Sequence, residues 1–126
     1  NNIIFLTTNR LRTLDDAIQS RVHLILKFNP LAEADRGVIW KAVLGDMGID
    51  TENDDMRRLV ESHLAPLEMN GREIHNSART AISSLAQETE GGISALTPKQ
   101  VRTRVKYIQK VNGEYENREA TANLYM

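Results

Sequence analysis

Arg72 is the residue whose placement most clearly suggests chemistry. It lies in the first turn of a helix predicted to begin at Asn70-Gly71-Arg72-Glu73. The first N–H groups of a helix are unpaired and its dipole is positive there, so this position attracts anions and normally disfavours a cation. A guanidinium at such a point can bind phosphate through two parallel hydrogen bonds. The pattern favours a phosphate partner for Arg72. The alternative is that Glu73 simply neutralises the same turn.

Two further polar residues stand beside apolar segments. Asn9 follows the first apolar run of the chain, and Arg21 immediately precedes the second. The Asn9 amide can donate to a phosphate oxygen or merely cap the turn that ends a strand. The permanently charged Arg21 can bind phosphate, or it can form a surface ion pair with Asp15 or Asp16. Spacing alone leaves both alternatives open.

The apolar segments beside these residues are predicted strands. Residues 3–6 form a continuous apolar run, which suits a strand buried on both faces of a parallel sheet. In residues 22–28 the even-numbered positions are all apolar, which is also a strand pattern. Two strands cannot make a stable sheet alone. We therefore expect residues 1–29 to be the C-terminal piece of a larger α/β domain whose other strands come from elsewhere.

Residues 30–112 carry the pattern of four amphipathic helices joined by short loops, which predicts a small bundle. The first helix is predicted to start at Asn29-Pro30 and to stop at Gly48, and the second to span residues 54–64. The third and fourth begin with capping boxes, Asn70 to Glu73 and Thr97 to Gln100. Residues 113–126 have little periodicity and are predicted to be a polar tail.

Composition excludes several classes of protein. The 126 residues carry 16 basic and 17 acidic side chains and no cysteine. The near-neutral balance excludes a uniformly basic nucleic-acid binder, and the absence of cysteine excludes a disulfide scaffold or a thiolate metal site. The longest apolar run falls far short of the roughly 20 residues that cross a bilayer. An intracellular location is the default expectation.

The order of these features resembles the C-terminal part of the AAA+ ATPase module. Leu6-Thr7-Thr8-Asn9-Arg10 and residues 14–21 resemble its second region of homology. Phe28-Asn29-Pro30-Leu31 resembles the junction with the helical lid, and Asn70-Gly71-Arg72-Glu73-Ile74 the start of the helix that carries the second sensor. The resemblance covers residues 3–112. It implies an α/β remnant, the last strands of a P-loop NTPase parallel sheet, followed by an all-α four-helix lid domain.

The same resemblance implies a role for each polar residue. Asn9 matches sensor 1, a catalytic position that orients the γ-phosphate or the attacking water. Arg21 matches the arginine finger, a catalytic residue that reaches the ATP of a neighbouring subunit; many members carry two arginines here, and this chain has one. Arg72 matches sensor 2, which binds the nucleotide of its own subunit.

Two motifs that a complete ATPase needs are missing from this sequence. None of the seven glycines is followed by lysine, so there is no phosphate loop, and no apolar strand ends in the Asp-Glu pair that holds Mg²⁺. The chain alone is therefore not expected to hydrolyse ATP. The resemblance implies that it supplies the sensors, finger and lid of an ATP- and Mg²⁺-dependent machine that remodels a macromolecule. The implied partners are identical or related subunits in a ring, expected to be a hexamer, with a protein substrate favoured over nucleic acid.

The fourth predicted helix is strongly basic. Lys99, Arg102, Arg104, Lys106 and Lys110 occur with no acid between residues 93 and 113. Such a helix can follow nucleic-acid phosphates or an anionic membrane. A solvated outer face is the favoured alternative, because acids follow at once and aromatic residues are sparse.

Two alternatives to the enzyme remain: a non-hydrolysing helical module that binds protein or DNA, and a degenerate AAA+ ring adaptor. His63 and His75 lie on different predicted helices with no third ligand at a suitable spacing, so no metal site is predicted. Trp40 is expected to be a core residue or a contact between lid and body.

Overall fold

The structure is a computed structural model that describes residues 2–8, 15–26 and 29–124, with side chains described as far as Tyr115. A short helix stands apart near the start, and four longer helical segments follow. The helical elements are α1 (Asp16–Gln19), α2 (Glu33–Asp46), α3 (Asp54–Leu59) running into a π-helical turn (Val60–Leu64), α4 (Gly71–Glu88), a 3₁₀ turn (Gly92–Ala95) and α5 (Pro98–Leu124). The prediction of a helical bundle is confirmed.

α4 is the centre of the bundle, with α2 and α5 both packed against it. Its buried positions recur at helical spacing, so one stripe faces the neighbouring helices. The amphipathic pattern predicted for this helix is confirmed, because the members of its apolar stripe are all buried. These members are Ile74, Ala78, Ala81, Ile82 and Leu85. The core that they share with the other helices includes Trp40, Leu44, Leu64, Val101 and Val105, all almost fully buried.

The predicted capping box at Thr97 is present, and at Asn70 the N-cap bond is present while the second bond joins the two side chains. The Asn70 side chain accepts a hydrogen bond from the Glu73 N–H at 2.8 Å, and its amide donates to the Glu73 carboxylate at 2.8 Å. The Thr97 hydroxyl accepts from the Gln100 N–H at 3.3 Å, while the Gln100 side chain accepts from the Thr97 N–H at 2.9 Å. Each box fixes the residue at which its helix begins.

Gly48 ends α2 as predicted. Its φ is +94°, a conformation that favours glycine. The Ile49 N–H donates to the Leu44 carbonyl and the Gly48 N–H to the Gly45 carbonyl, both at 3.0 Å. This pair of bonds is the Schellman arrangement, which satisfies carbonyls that the end of a helix would otherwise leave unpaired.

The predicted start and inner face of α2 are partly wrong. The N-cap is Ala32, which has no capping side chain, and not Asn29. The helical spacing of the apolar residues predicts Val38 on the inner face with Ile39, but Val38 is 67% exposed, whereas Trp40 is fully buried. The bulky indole contributes the largest apolar area of this helix, so the helix turns the Trp40 side of its surface to the core and leaves Val38 outside.

The predicted strands are not confirmed. Within the described parts, residues 2–8 and 22–26 are neither helical nor in a strand ladder. Their apolar side chains are largely exposed, from 38% at Val22 to 90% at Phe5. A strand needs a neighbouring strand to take its N–H and C=O groups, and the described residues contain no strand ladder. The α/β remnant therefore stays a prediction, and residues 27 and 28 lie outside the described residues.

Residues 113–126 are predicted to be a polar tail, but in the structure the α5 backbone continues as a helix to Leu124. Residues 113–124 contain no proline and several good helix formers, so one glycine does not stop the helix. None of the described helices is long and apolar enough to cross a membrane.

Candidate functional site

Arg72 occupies the second position of α4, after the N-cap Asn70, and it is exposed. The Asn70 side chain takes the N–H of Glu73. In the described structure the N–H groups of Gly71 and Arg72 have no hydrogen-bond partner. The helix start therefore presents two free donors and one cationic side chain together, which suits an oxyanion.

The carboxylate of Glu73, the acid next to Arg72 in the sequence, is hydrogen-bonded to the N-cap residue Asn70. The Glu73 carboxylate accepts from the Asn70 amide at 2.8 Å. The three ion pairs of the described residues join Lys41 to Glu61, Arg57 to Asp54 and Arg104 to Glu88, so none involves Arg72 or Glu73. Glu73 therefore does not pair directly with Arg72 in the described structure, but it does place a carboxylate in the same first turn of α4.

The backbone under Arg72 is held against α2. A Cβ built on Gly71 would lie 3.9 Å from the Ile39 side chain, so the first turn of α4 packs on α2 at ordinary contact distance. Two residues further on, Ile74 is fully buried in the core. The start of α4 is thus a fixed platform from which the long Arg72 side chain extends to solvent.

Arg21 directly follows α1 and is exposed. Asp15 caps α1 through its side chain, which accepts from the Ala17 N–H at 3.1 Å. The turn closes when the Arg21 N–H donates to the Ile18 carbonyl at 3.1 Å. No ion pair within the described chain joins Arg21 to Asp15 or Asp16, so the surface-pair alternative is not realised.

Asn9, the third predicted site residue, lies outside the described residues, so its prediction stays untested. Arg21 and Arg72 are both exposed guanidinium groups, but no described contact brings them together into one site. Arg21 lies in the turn after α1, and Arg72 lies in the first turn of α4 on the bundle.

A cleft of about 570 Å³ lies between α3, with the π-helical turn that follows it, and the start of α5. Its charged lining is Arg58 on α3, Lys99 and Arg102 on α5, and one acid, Asp55. Ser62 and His63 reach it from the π-helical turn, in which the Ala65 N–H bonds to the Val60 carbonyl five residues back. Sequence analysis identified Lys99 and Arg102 but missed Arg58, because only the packing of α3 on α5 brings it beside them.

Arg104 differs from the other basic residues of α5. It donates to the Glu88 carboxylate and, at 2.8 Å, to the Ser84 hydroxyl, both on α4. The hydrogen bond between Arg104 and Glu88 lowers the pKa of the Glu88 carboxyl and raises the pKa of the Arg104 guanidinium. Arg104 is therefore a structural link between two helices and not a free cation.

The described residues contain no group of three or more His, Asp or Glu side chains arranged to hold a metal ion. No protein-family model, curated protein or solved structure matches the chain.

Proposed function

We propose that this chain is the sensor-and-lid portion of an AAA+ ATPase that couples ATP binding and hydrolysis to the remodelling of a macromolecule. The observation that carries the proposal is the exposed, unpaired Arg72 in the capped first turn of α4. A cation at a helix N-terminus opposes the dipole, so it is stabilised there when an anion bridges it and the free N–H groups. The phosphates of ATP are such an anion, and the residues present fit them.

A second observation supports the α/β part of the proposal. The bundle has a complete buried core, whereas residues 3–6 and 22–26 expose most of their apolar surface. Exposed apolar surface of this kind is stabilised by burial against a partner, at about 25 cal/mol per Å². Strands of a P-loop NTPase sheet, supplied from outside this sequence, would provide that cover.

In the proposed assembly each site residue has a distinct task. Arg72 binds the phosphates of ATP in its own subunit. Arg21, exposed and without an ion pair among the described residues, reaches the ATP of the next subunit in a ring, and Asn9 orients the γ-phosphate or the attacking water. Mg²⁺ accompanies the nucleotide, and its protein ligands belong to the part of the module that this chain does not contain. The chain alone does not hydrolyse ATP.

The first test is to sequence the coding DNA on the 5′ side of the Asn1 codon over roughly one domain's length, about 150 codons. An in-frame phosphate-loop motif followed by an apolar strand that ends in Asp-Glu is the expected result. An in-frame stop codon or a reading frame without these motifs would contradict the ATPase proposal.

The second test uses the full-length gene product with Arg21→Ala, Arg72→Ala and the control Arg79→Ala. Arg79 is an exposed arginine of the same α4, away from its first turn. Arg21→Ala should lower the ATP turnover rate by about 10³-fold or more while nucleotide affinity is kept. Arg72→Ala should weaken nucleotide binding, and Arg79→Ala should change neither. Equal effects of Arg72→Ala and Arg79→Ala would exclude a special role for Arg72.

A further inference from the structure

Between Lys99 and Lys110, the basic residues of α5 that are not tied to α4 fall on one face of the helix. Lys99, Arg102, Lys106 and Lys110 follow each other at intervals of three, four and four residues, which places them in one row. The fully buried Val101 and Val105 occupy a different face, toward the core. At 1.5 Å per residue the row is about 16 Å long.

The cleft adds a fifth cation to this row. Arg58 lines it from α3, opposite Lys99 and Arg102, which line it from α5. We call Arg58, Lys99, Arg102, Lys106 and Lys110 the basic face. The other titratable groups at the cleft are Asp55 and His63, so cations outnumber the single acid there.

The basic face is not neutralised within the described part of the molecule. The ion pairs found there use Lys41, Arg57 and Arg104, and none of the five members takes part. No acid occurs from residue 94 to residue 113, and Glu114, one helical turn beyond Lys110, is the next acid along the row. A row of unpaired like charges is self-repulsive and is stabilised when a polyanion covers it.

We propose that the basic face binds the sugar-phosphate backbone of duplex DNA without reading its sequence. Four charges spread over about 16 Å exceed what one small phosphate can contact, and successive charges about one helical turn apart suit a repeating anion. Val101 and Val105 are buried in the core, so the large apolar side chains that the described part of α5 exposes are Tyr107, Val111 and Tyr115, fewer than the wide apolar face of a helix that lies in a membrane surface.

A single-stranded partner fits the basic face less well than a duplex. Proteins that bind single strands combine basic grooves with several aromatic platforms on which bases stack. The described part of α5 exposes two aromatic rings, those of Tyr107 and Tyr115, each at 63% exposure. Backbone contacts to a duplex need no such platform. This binding is independent of ATP and goes beyond the nucleotide function proposed above, so either proposal can fail while the other holds.

The test is fluorescence anisotropy of a labelled duplex of about 20 base pairs with the whole chain, without nucleotide, at salt concentrations from about 50 to 200 mM. Five phosphate contacts predict a slope of log K against log salt of about −4.5, since each contributes about −0.9. A slope near zero would overturn the proposal.

The decisive comparison is Lys99→Gln/Lys106→Gln against the control Lys41→Gln/Arg79→Gln. Both pairs remove two positive charges, and the control pair lies on α2 and α4, away from the basic face. At about 0.1 M salt the first pair should weaken binding by roughly tenfold per charge and make the slope less negative by about 1.8. The control should stay within about threefold of the unmodified chain, and Lys99→Arg/Lys106→Arg should keep full binding.

Three results would contradict the proposal. Equal losses in the two Gln pairs would mean that only net charge matters. Tighter binding to a single strand of the same length, or to vesicles rich in anionic lipid, would assign the face to another partner. Complete displacement of the DNA by millimolar inorganic phosphate at constant ionic strength would indicate a small-anion site. Emission of the one tryptophan, buried Trp40, checks that each variant is folded.

Discussion

The guanidinium of Arg104 on α5 and the carboxylate of Glu88, the last residue of α4, form a two-pronged ion pair. Nη1 lies 3.1 Å from Oε1, and Nη2 lies 2.5 Å from Oε2. Nη1 also donates to the Ser84 hydroxyl at 2.8 Å. The pair ties the end of α4 to α5 and removes Arg104 from the set of cations that a ligand can use.

This pair predicts a stability that depends on pH. The hydrogen bond from Arg104 holds the pKa of Glu88 below its ordinary value of 4.5. A carboxyl whose pKa is lower in the folded state stabilises the fold above its unfolded pKa, and that contribution is lost as the pH falls through the folded value. Melting temperatures of the unmodified chain and Glu88→Gln should therefore differ at pH 7 and converge as the pH falls below 4.5.

Glu61→Gln is the control for this prediction, because Glu61 accepts a single longer bond, at 3.3 Å, from Lys41. Its melting temperature should follow that of the unmodified chain more closely across the pH range. Parallel curves for Glu88→Gln and the unmodified chain would show that the Arg104 pair does not contribute to stability.

Two glycines at the end of α2 should respond to the same substitution in opposite directions. Gly48 has φ +94°, which L-residues rarely adopt, whereas Gly45 is helical and has nothing within 4 Å of a built Cβ. Gly48→Ala should lower the free energy of unfolding by about 1–2 kcal/mol. Gly45→Ala should raise it by about 0.5–1 kcal/mol. Urea unfolding measures both, and a loss on Gly45→Ala would contradict the assignment of the helix end.

Local signals in the sequence predicted the bundle well. The reciprocal bonds of Asn70 with Glu73 and of Thr97 with Gln100 involve residues three apart, and a chain sets such bonds largely by itself. The stop at Gly48 follows from the conformational freedom of one residue. These features needed no knowledge of tertiary structure.

What the sequence did not predict depends on packing between elements. The exposure of Val38 follows from the burial of Trp40, which decides how α2 is rotated. Arg58 joins the cleft only because α3 packs on α5. The roles of Arg104 and Glu88 depend on a contact between residues far apart in the chain. Strand patterns in residues 3–6 and 22–26 depend on neighbours that the described residues do not provide.

The volume of the Trp40 side chain should contribute more to the free energy of unfolding than its indole N–H does. The side chain is fully buried, and its Nε1 is the one buried side-chain nitrogen or oxygen of the described residues without a hydrogen-bond partner. Trp40→Ala should cost about 3–5 kcal/mol of unfolding free energy through the cavity that it leaves. Trp40→Phe keeps an aromatic ring and removes the unpaired N–H, so its cost should be below about 1.5 kcal/mol. Circular dichroism during urea unfolding measures both, and equal costs would contradict the unpaired nitrogen.

The exposed apolar segments predict self-association of the chain. Phe5 is 90% exposed and Leu24 is 73% exposed, and neither segment has a strand partner in the described structure. Apolar segments with unpaired backbone groups favour strand pairing between copies. Phe5→Ser/Leu24→Ser should therefore weaken self-association, measured by sedimentation velocity, by about tenfold or more, because burying a large apolar side chain contributes about 1.5–3 kcal/mol. The melting temperature of the bundle should not change, since neither residue belongs to its core.

Val38→Ser is the matched control, as Val38 is 67% exposed on the bundle itself. If Val38→Ser dissociates the oligomer and the double variant does not, the bundle surface associates, and residues 3–6 and 22–26 lose their assignment as strands in need of a sheet.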